Sequence, residues 1–114
     1  MTKFKELHSF EKRLAESQKI LEKYRSSAPV IVEPYSDQAP SIDRCKFLVP
    51  WDLTYGQLIY VVRKRIDLSR EKSLFMFCSG IVPMQNKTII ELHRMYGEED
   101  GFLYFTYTLE DTFG

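Results

Sequence analysis

The chain has no apolar stretch near its N-terminus that could serve as a signal peptide, and no run long enough to span a bilayer. Any attachment to a membrane is therefore expected to come from a partner or a covalent lipid. Cysteine is scarce: Cys45 and Cys78 stand alone, outside any CxxC pattern, and read as reduced thiols of a cytosolic protein. There is no glycine-rich phosphate loop, no nucleophile elbow and no His/Cys set at metal-binding spacing. Cys78 with His8 or His93 could be drawn as a thiol and its base. Yet Cys78 closes an apolar run and reads better as a small buried hydrophobe, with both histidines as surface or capping residues. Neither an enzyme nor a resident cofactor is expected. Net charge is missing too, since sixteen basic residues cancel sixteen acidic ones, which disfavours a nucleic-acid partner.

What is present is the composition of one globular domain: 114 residues, 44% hydrophobic and 28% charged. The charges are unevenly spread. Residues 1–25 hold seven Lys/Arg against four Asp/Glu, while residues 91–114 hold Arg94 against six acids. Lys3, Lys5, Lys12 and Arg13, beside Phe4 and Phe10, form a cationic front that could touch an anionic membrane. Glu98-Glu99-Asp100 reads as a solvated acidic turn, and Arg63-Lys64-Arg65 as the polar face of a helix.

Phe10, Leu14, Leu21 and Tyr24, with Ser17 between, follow the 4-3-4-3 spacing of an amphipathic helix over 10–24, preceded by a short turn over 3–8. Val30–Val32 and Lys46–Val49 read as strands joined by a turn-rich loop. Thr54 and Gln57 have capping-box spacing and open a central helix of about 12 residues. Leu74–Phe77 is a third strand, Ser79-Gly80 its turn, Thr88–Met95 a short helix and Phe102–Tyr107 a last strand. The last strand is apolar throughout, as a central strand covered on both faces would be. This order specifies an α+β fold: a ubiquitin-like β-grasp, with a four-stranded mixed sheet around a central helix and two extra N-terminal helices. Residues 1–25 are the helical extension, 26–110 the β-grasp body and 111–114 a flexible tail.

The tail ends in Phe113-Gly114. A terminal glycine has no Cβ, so a narrow enzyme tunnel could grip and activate its carboxylate. With that ending, the series Phe10-Glu11-Lys12-Arg13, Pro29-Val30-Ile31-Val32-Glu33, Lys46-Phe47-Leu48-Val49-Pro50, Asp52-Leu53-Thr54, Arg63-Lys64-Arg65-Ile66 and Phe102-Leu103-Tyr104 resembles the autophagy-related protein 8 family of ubiquitin-like modifiers. The family includes the GABA-receptor-associated proteins and microtubule-associated light chain three. The resemblance implies a processing cysteine protease, then activating and conjugating enzymes, and finally conjugation of Gly114 to phosphatidylethanolamine. It further implies a cytoplasmic protein that moves to autophagosomal membranes when lipidated and docks cargo receptors there. Microtubules are a further partner it admits. The competing reading is a ubiquitin-fold adaptor for peptides or tubulin that is never conjugated.

The resemblance also supplies a peptide site for ligands of the form aromatic-x-x-aliphatic. Its aromatic pocket would be lined by Glu16, Ile20, Pro29, Ile31, Lys46, Leu48 and Phe102. The aliphatic pocket would use Phe47, Val49, Pro50, Leu53, Leu58 and Val61, with Arg44 and Arg65 meeting acidic flanks. Independently of the family, the second strand alternates Lys46 and Leu48 with Phe47 and Val49, so packing is expected on both its faces. Were it an edge strand, a peptide could pair with it and place residues i and i+3 on opposite faces. Four positions depart from the family pattern: Ser27 and Cys45 replace usual cations, Leu58 a common phenylalanine and Trp51 a small or polar residue.

Overall fold

The computed structural model describes residues 3–66, 68–69 and 71–109. Its elements are α1 (Lys3–Leu7), α2 (Phe10–Lys23), β1 (Ser27–Pro34), β2 (Lys46–Pro50), α3 (Tyr55–Arg65), β3 (Leu74–Phe77), α4 (Ile89–Tyr96) and β4 (Leu103–Leu109). The strands form one mixed sheet in the order β2-β1-β4-β3. β1 runs antiparallel to β2 and parallel to β4, and β4 runs antiparallel to β3. This is the expected β-grasp arrangement.

Local chemistry fixes the helix starts. Ser9 caps α2 through its side-chain oxygen, which accepts the Lys12 N–H. Thr54 with Gln57, and Thr88 with Glu91, form reciprocal capping boxes at α3 and α4. Ser79 and Gly80 both have positive φ, as the tight turn after β3 requires.

The sheet is covered on both faces. Val30 and Val32 of β1 join Leu103, Phe105 and Tyr107 of β4 in the inner core beneath α3 and α4. The alternate side chains, Ile31, Phe102 and Tyr104, meet Phe4 of α1 and Ile20 of α2 on the outer face. Phe4 lies 5.1 Å from the Phe102 ring, edge to face.

Three readings of the charged and polar residues are corrected here. Asp100 does not sit in a solvated turn: it is 2% exposed. Its carboxylate takes the Arg13 Nε–H at 2.9 Å, the Phe102 N–H at 3.0 Å and the Tyr104 hydroxyl. Burial first, and then the bond to Asp100, raises the Tyr104 pKa. Because Asp100 holds the Phe102 N–H, β4 begins one residue later than expected.

The cationic front is in part engaged inside the molecule, while Lys3, Lys12 and Phe10 stay exposed. Phe4 is buried, Arg13 also donates to the carbonyls of Lys5 and His8, and Lys5 pairs with Glu98. Nor are the histidines plain surface groups. His93 Nε2 lies 2.9 Å from the Gly101 carbonyl with its ring edge-on to Trp51, and His8 packs on Phe4. Arg63 is likewise engaged, donating to the carbonyls of Lys72 and Ser69 beyond α3.

Helix α2 reaches the sheet through a small residue. Ser17 is fully buried and donates to the Asp100 carbonyl, while Phe10 and Tyr24, at the ends of the predicted stripe, stay exposed. Gly101, at φ 89°, passes so close that a Cβ there would lie 2.3 Å from Ser17 Oγ.

Candidate functional site: the free edge of β2

β2 is an edge strand, flanked by β1 alone. The ladder pairs Pro29 with Leu48 and Ile31 with Lys46. On either side of these pairs, Val32 N–H donates to Cys45 O at 2.8 Å and Trp51 N–H to Ser26 O at 3.3 Å. Hydrogen-bonded and non-hydrogen-bonded pairs alternate along an antiparallel ladder. Continuing that alternation puts Lys46 and Leu48 in non-hydrogen-bonded pairs and turns their N–H and C=O groups outward. The edge thus offers the donors and acceptors an added strand would use.

The two sides of β2 differ, contrary to the expectation of packing on both. Phe47 and Val49 turn inward onto the core. Leu48, on the outer side, is 46% exposed. Pro29 of β1 stands opposite it in the ladder, Ile31 stands opposite Lys46, and Ile20 of α2 packs on the cluster that holds Ile31. Glu16 and Lys46 join in an ion pair that spans from helix to strand. Ile31 and Phe102 are sealed from solvent in one cluster, with Ile20 packed against it.

On the inner side, the residues expected to form an aliphatic pocket lie at graded depth. Leu58 is 0% exposed and Val49 is buried, so both lie under the surface. Phe47 and Leu53 are half-buried, Val61 is 36% exposed and Pro50 stands at the surface. Arg65 passes over the Phe47 ring at 5.8 Å and contacts Asp43, while Arg44 is exposed. Sequence reasoning gave no role to Asp43; an acid three residues before Lys46 was the signal available.

The departures from the family pattern also find their places. Cys45 is half-buried against the outer cluster, and burial raises its thiol pKa. Trp51 donates Nε1–H to the Arg25 carbonyl at 3.1 Å and packs between the end of β2 and His93 of α4. Ser27 opens β1 opposite Pro50. Cys78 is buried and its thiol is pushed up to about 12, chiefly by desolvation, so it would make a poor nucleophile. No group of three or more His, Cys, Asp or Glu residues that could hold a metal ion exists among the described residues. Gly114 and the tail lie outside the described residues.

Glu33, part of the family-like series, carried no role of its own in the sequence reading. It is 4% exposed, accepts the Phe4 N–H at 2.8 Å through Oε2, and its Oε1 has no partner among the described residues. Burial raises its pKa above the usual carboxylate value, against a smaller lowering by the Phe4 bond.

Residues 12–114 match the family model described as "Autophagy protein Atg8 ubiquitin like". Autophagy-related protein 8 of Cochliobolus heterostrophus is 49% identical over 115 residues, covering 99% of this chain and 96% of that protein. Autophagy-related protein 8d of Arabidopsis thaliana is also 49% identical, over 100% of this chain and 96% of its own length. The crystal structure of Trypanosoma brucei ATG8 superposes with a TM-score of 0.93 at 40% identity, covering 100% of this chain and 99% of that one. Plasmodium falciparum Atg8, solved in complex with a P. falciparum Atg3 peptide, gives 0.86 at 34% identity over 95% and 96% of the two chains.

Proposed function

Because this chain belongs to the Atg8 family of ubiquitin-like autophagy proteins, we propose that it is a covalent modifier, linked through Gly114 to phosphatidylethanolamine and then used as a peptide-docking platform. It acts as a substrate of its conjugation enzymes and is not itself an enzyme. In this reading residues 1–25 pack as an extension on the β-grasp body of 26–110, and residues 111–114 deliver Gly114 to those enzymes. The chain stays cytoplasmic until lipidated and afterwards works on autophagosomal membranes. One lipid of this kind carries two acyl chains, enough for stable anchoring where one would be marginal.

The observation that carries the docking half is the outward-facing backbone of Lys46 and Leu48 on the edge strand, with the exposed Leu48 on one side of it and the half-buried Phe47 on the other. A peptide paired there sends residues i and i+3 to opposite faces. An aromatic anchor fits the cleft over Ile31 and Phe102, and an aliphatic one the cleft between Phe47 and Val61. The Atg3 peptide bound to the Plasmodium relative supports a conjugating enzyme as one partner; cargo-receptor peptides are the others in this reading.

Conjugation is tested with the purified chain, its activating and conjugating enzymes, ATP and phosphatidylethanolamine liposomes. A membrane-bound amide should form on the intact chain and vanish when Gly114 is deleted or replaced by Leu. Equal lipidation of the truncated chain would overturn the modifier reading. No lipidation of either form, with peptide binding intact, would favour the unconjugated adaptor.

A further inference from the structure

Val61 and Arg65 lie four residues apart on α3 and so share one helix face. The Arg65 guanidinium stands 5.8 Å from the centroid of Phe47, which, like Val61, belongs to the aliphatic site proposed above. Arg65 therefore marks the edge of that site, where a residue flanking an aliphatic anchor would pass. The place is already taken. Arg65 Nη2 lies 3.2 and 3.3 Å from the two carboxylate oxygens of Asp43, in the segment joining β1 to β2.

Two properties make this contact displaceable. Both side chains are solvent-exposed, Asp43 the more so, and exposed ion pairs are weak. Both contacts also run through one nitrogen, which leaves the two-pronged guanidinium–carboxylate geometry unused. A ligand carboxylate approaching with that geometry would compete for the same donors.

Resting on the peptide-docking reading above, we propose that Asp43 is a built-in competitor: an intramolecular carboxylate that occupies the Arg65 subsite and weakens this chain's preference for acidic-flanked peptides. The segment before β2 then adds to the ligand selectivity that the two anchor sites set.

The test uses two synthetic aromatic-x-x-aliphatic peptides, identical except for Asp or Asn at the positions flanking the aliphatic anchor. Calorimetric titration would compare wild type, Asp43→Asn, Arg65→Gln and the double variant. Asp43→Asn should tighten the Asp-flanked peptide by about twofold to fivefold and leave the Asn-flanked one unchanged. The gain should shrink as salt rises and disappear in the Arg65→Gln background. Equal changes for both peptides, or weaker binding of the Asp-flanked one, would overturn the proposal, the latter by making Asp43 a support that orients Arg65. Binding of the Asn-flanked peptide keeps the docking reading in either case. If neither peptide binds the wild type, that reading fails and the inference with it.

Discussion

On the inner face of the sheet, Leu58, Met76, Ile89, Leu103 and Phe105 are sealed from water among apolar neighbours. On the outer face, Ile31, Phe102 and Tyr104 share their cover with two buried carboxylates, Asp100 and Glu33. The first arrangement draws its stability from area and volume, which are non-directional and forgiving of similar shapes. The second depends on a few directed bonds, whose loss strands their partners. β2 lies across this divide, with one proposed cleft on each kind of support.

If the contrast is sound, the largest single loss should come from the polar side. Asp100→Ala removes the counter-charge of Arg13, leaves the Arg13 Nε–H, the Phe102 N–H and the Tyr104 hydroxyl without their acceptor, and should cost about 3–5 kcal/mol in urea unfolding. A cost below about 1 kcal/mol would mean that Asp100 is ornamental and both faces rest on area.

The next comparison is within β2's surroundings. Leu58→Ala, at a sealed position, should cost about 2–5 kcal/mol in the same measurement. Leu48→Ala should stay within about 0.5–1 kcal/mol of wild type in stability, yet weaken an aromatic-x-x-aliphatic peptide by about 1–3 kcal/mol. Matching stability losses at the two positions would erase the difference between inner and outer sides.

The smallest effect tests Glu33 through pH. Its carboxylate pKa is raised in the fold, so the cost of burying its charge is absent below the ordinary value of 4.5 and grows as pH climbs through the raised one. Glu33→Gln keeps the acceptor for Phe4 N–H and should raise the melting temperature by a few degrees at pH 7, with no gain near pH 4. A gain that persists in acid would trace to packing instead.

Element order, the Thr54–Gln57 capping box and the central place of the last strand were legible because they rest on local signals: apolar period, a threonine cap and an uninterrupted apolar run. The positions that failed depend on partners far along the chain. Asp100 looked like part of an acidic turn because Arg13, which buries it, is 87 residues away. Leu48 looked packed because alternation reveals which side a residue takes and not whether anything covers that side. Lys5 and Phe4 suggested a membrane contact because nothing nearby in sequence announces Glu98 or Phe102 as their partners. In the site, the pocket residues came with the family likeness, whereas Asp43 required seeing the β1–β2 segment fold back on α3.

The parallel pairing of β1 with β4 has a bearing on how the molecule is made. A ribosome delivers β1 early and β4 among the last elements, about 3–14 s apart at common translation rates. Throughout that interval Val30, Ile31 and Val32 have no strand to lie beside on that flank, and Arg13 has no carboxylate to receive it. Non-local closure of this kind folds late and leaves apolar surface open to chaperones meanwhile. The helices and strand that emerge first are the ones that must wait for residues 100–109 before they can settle.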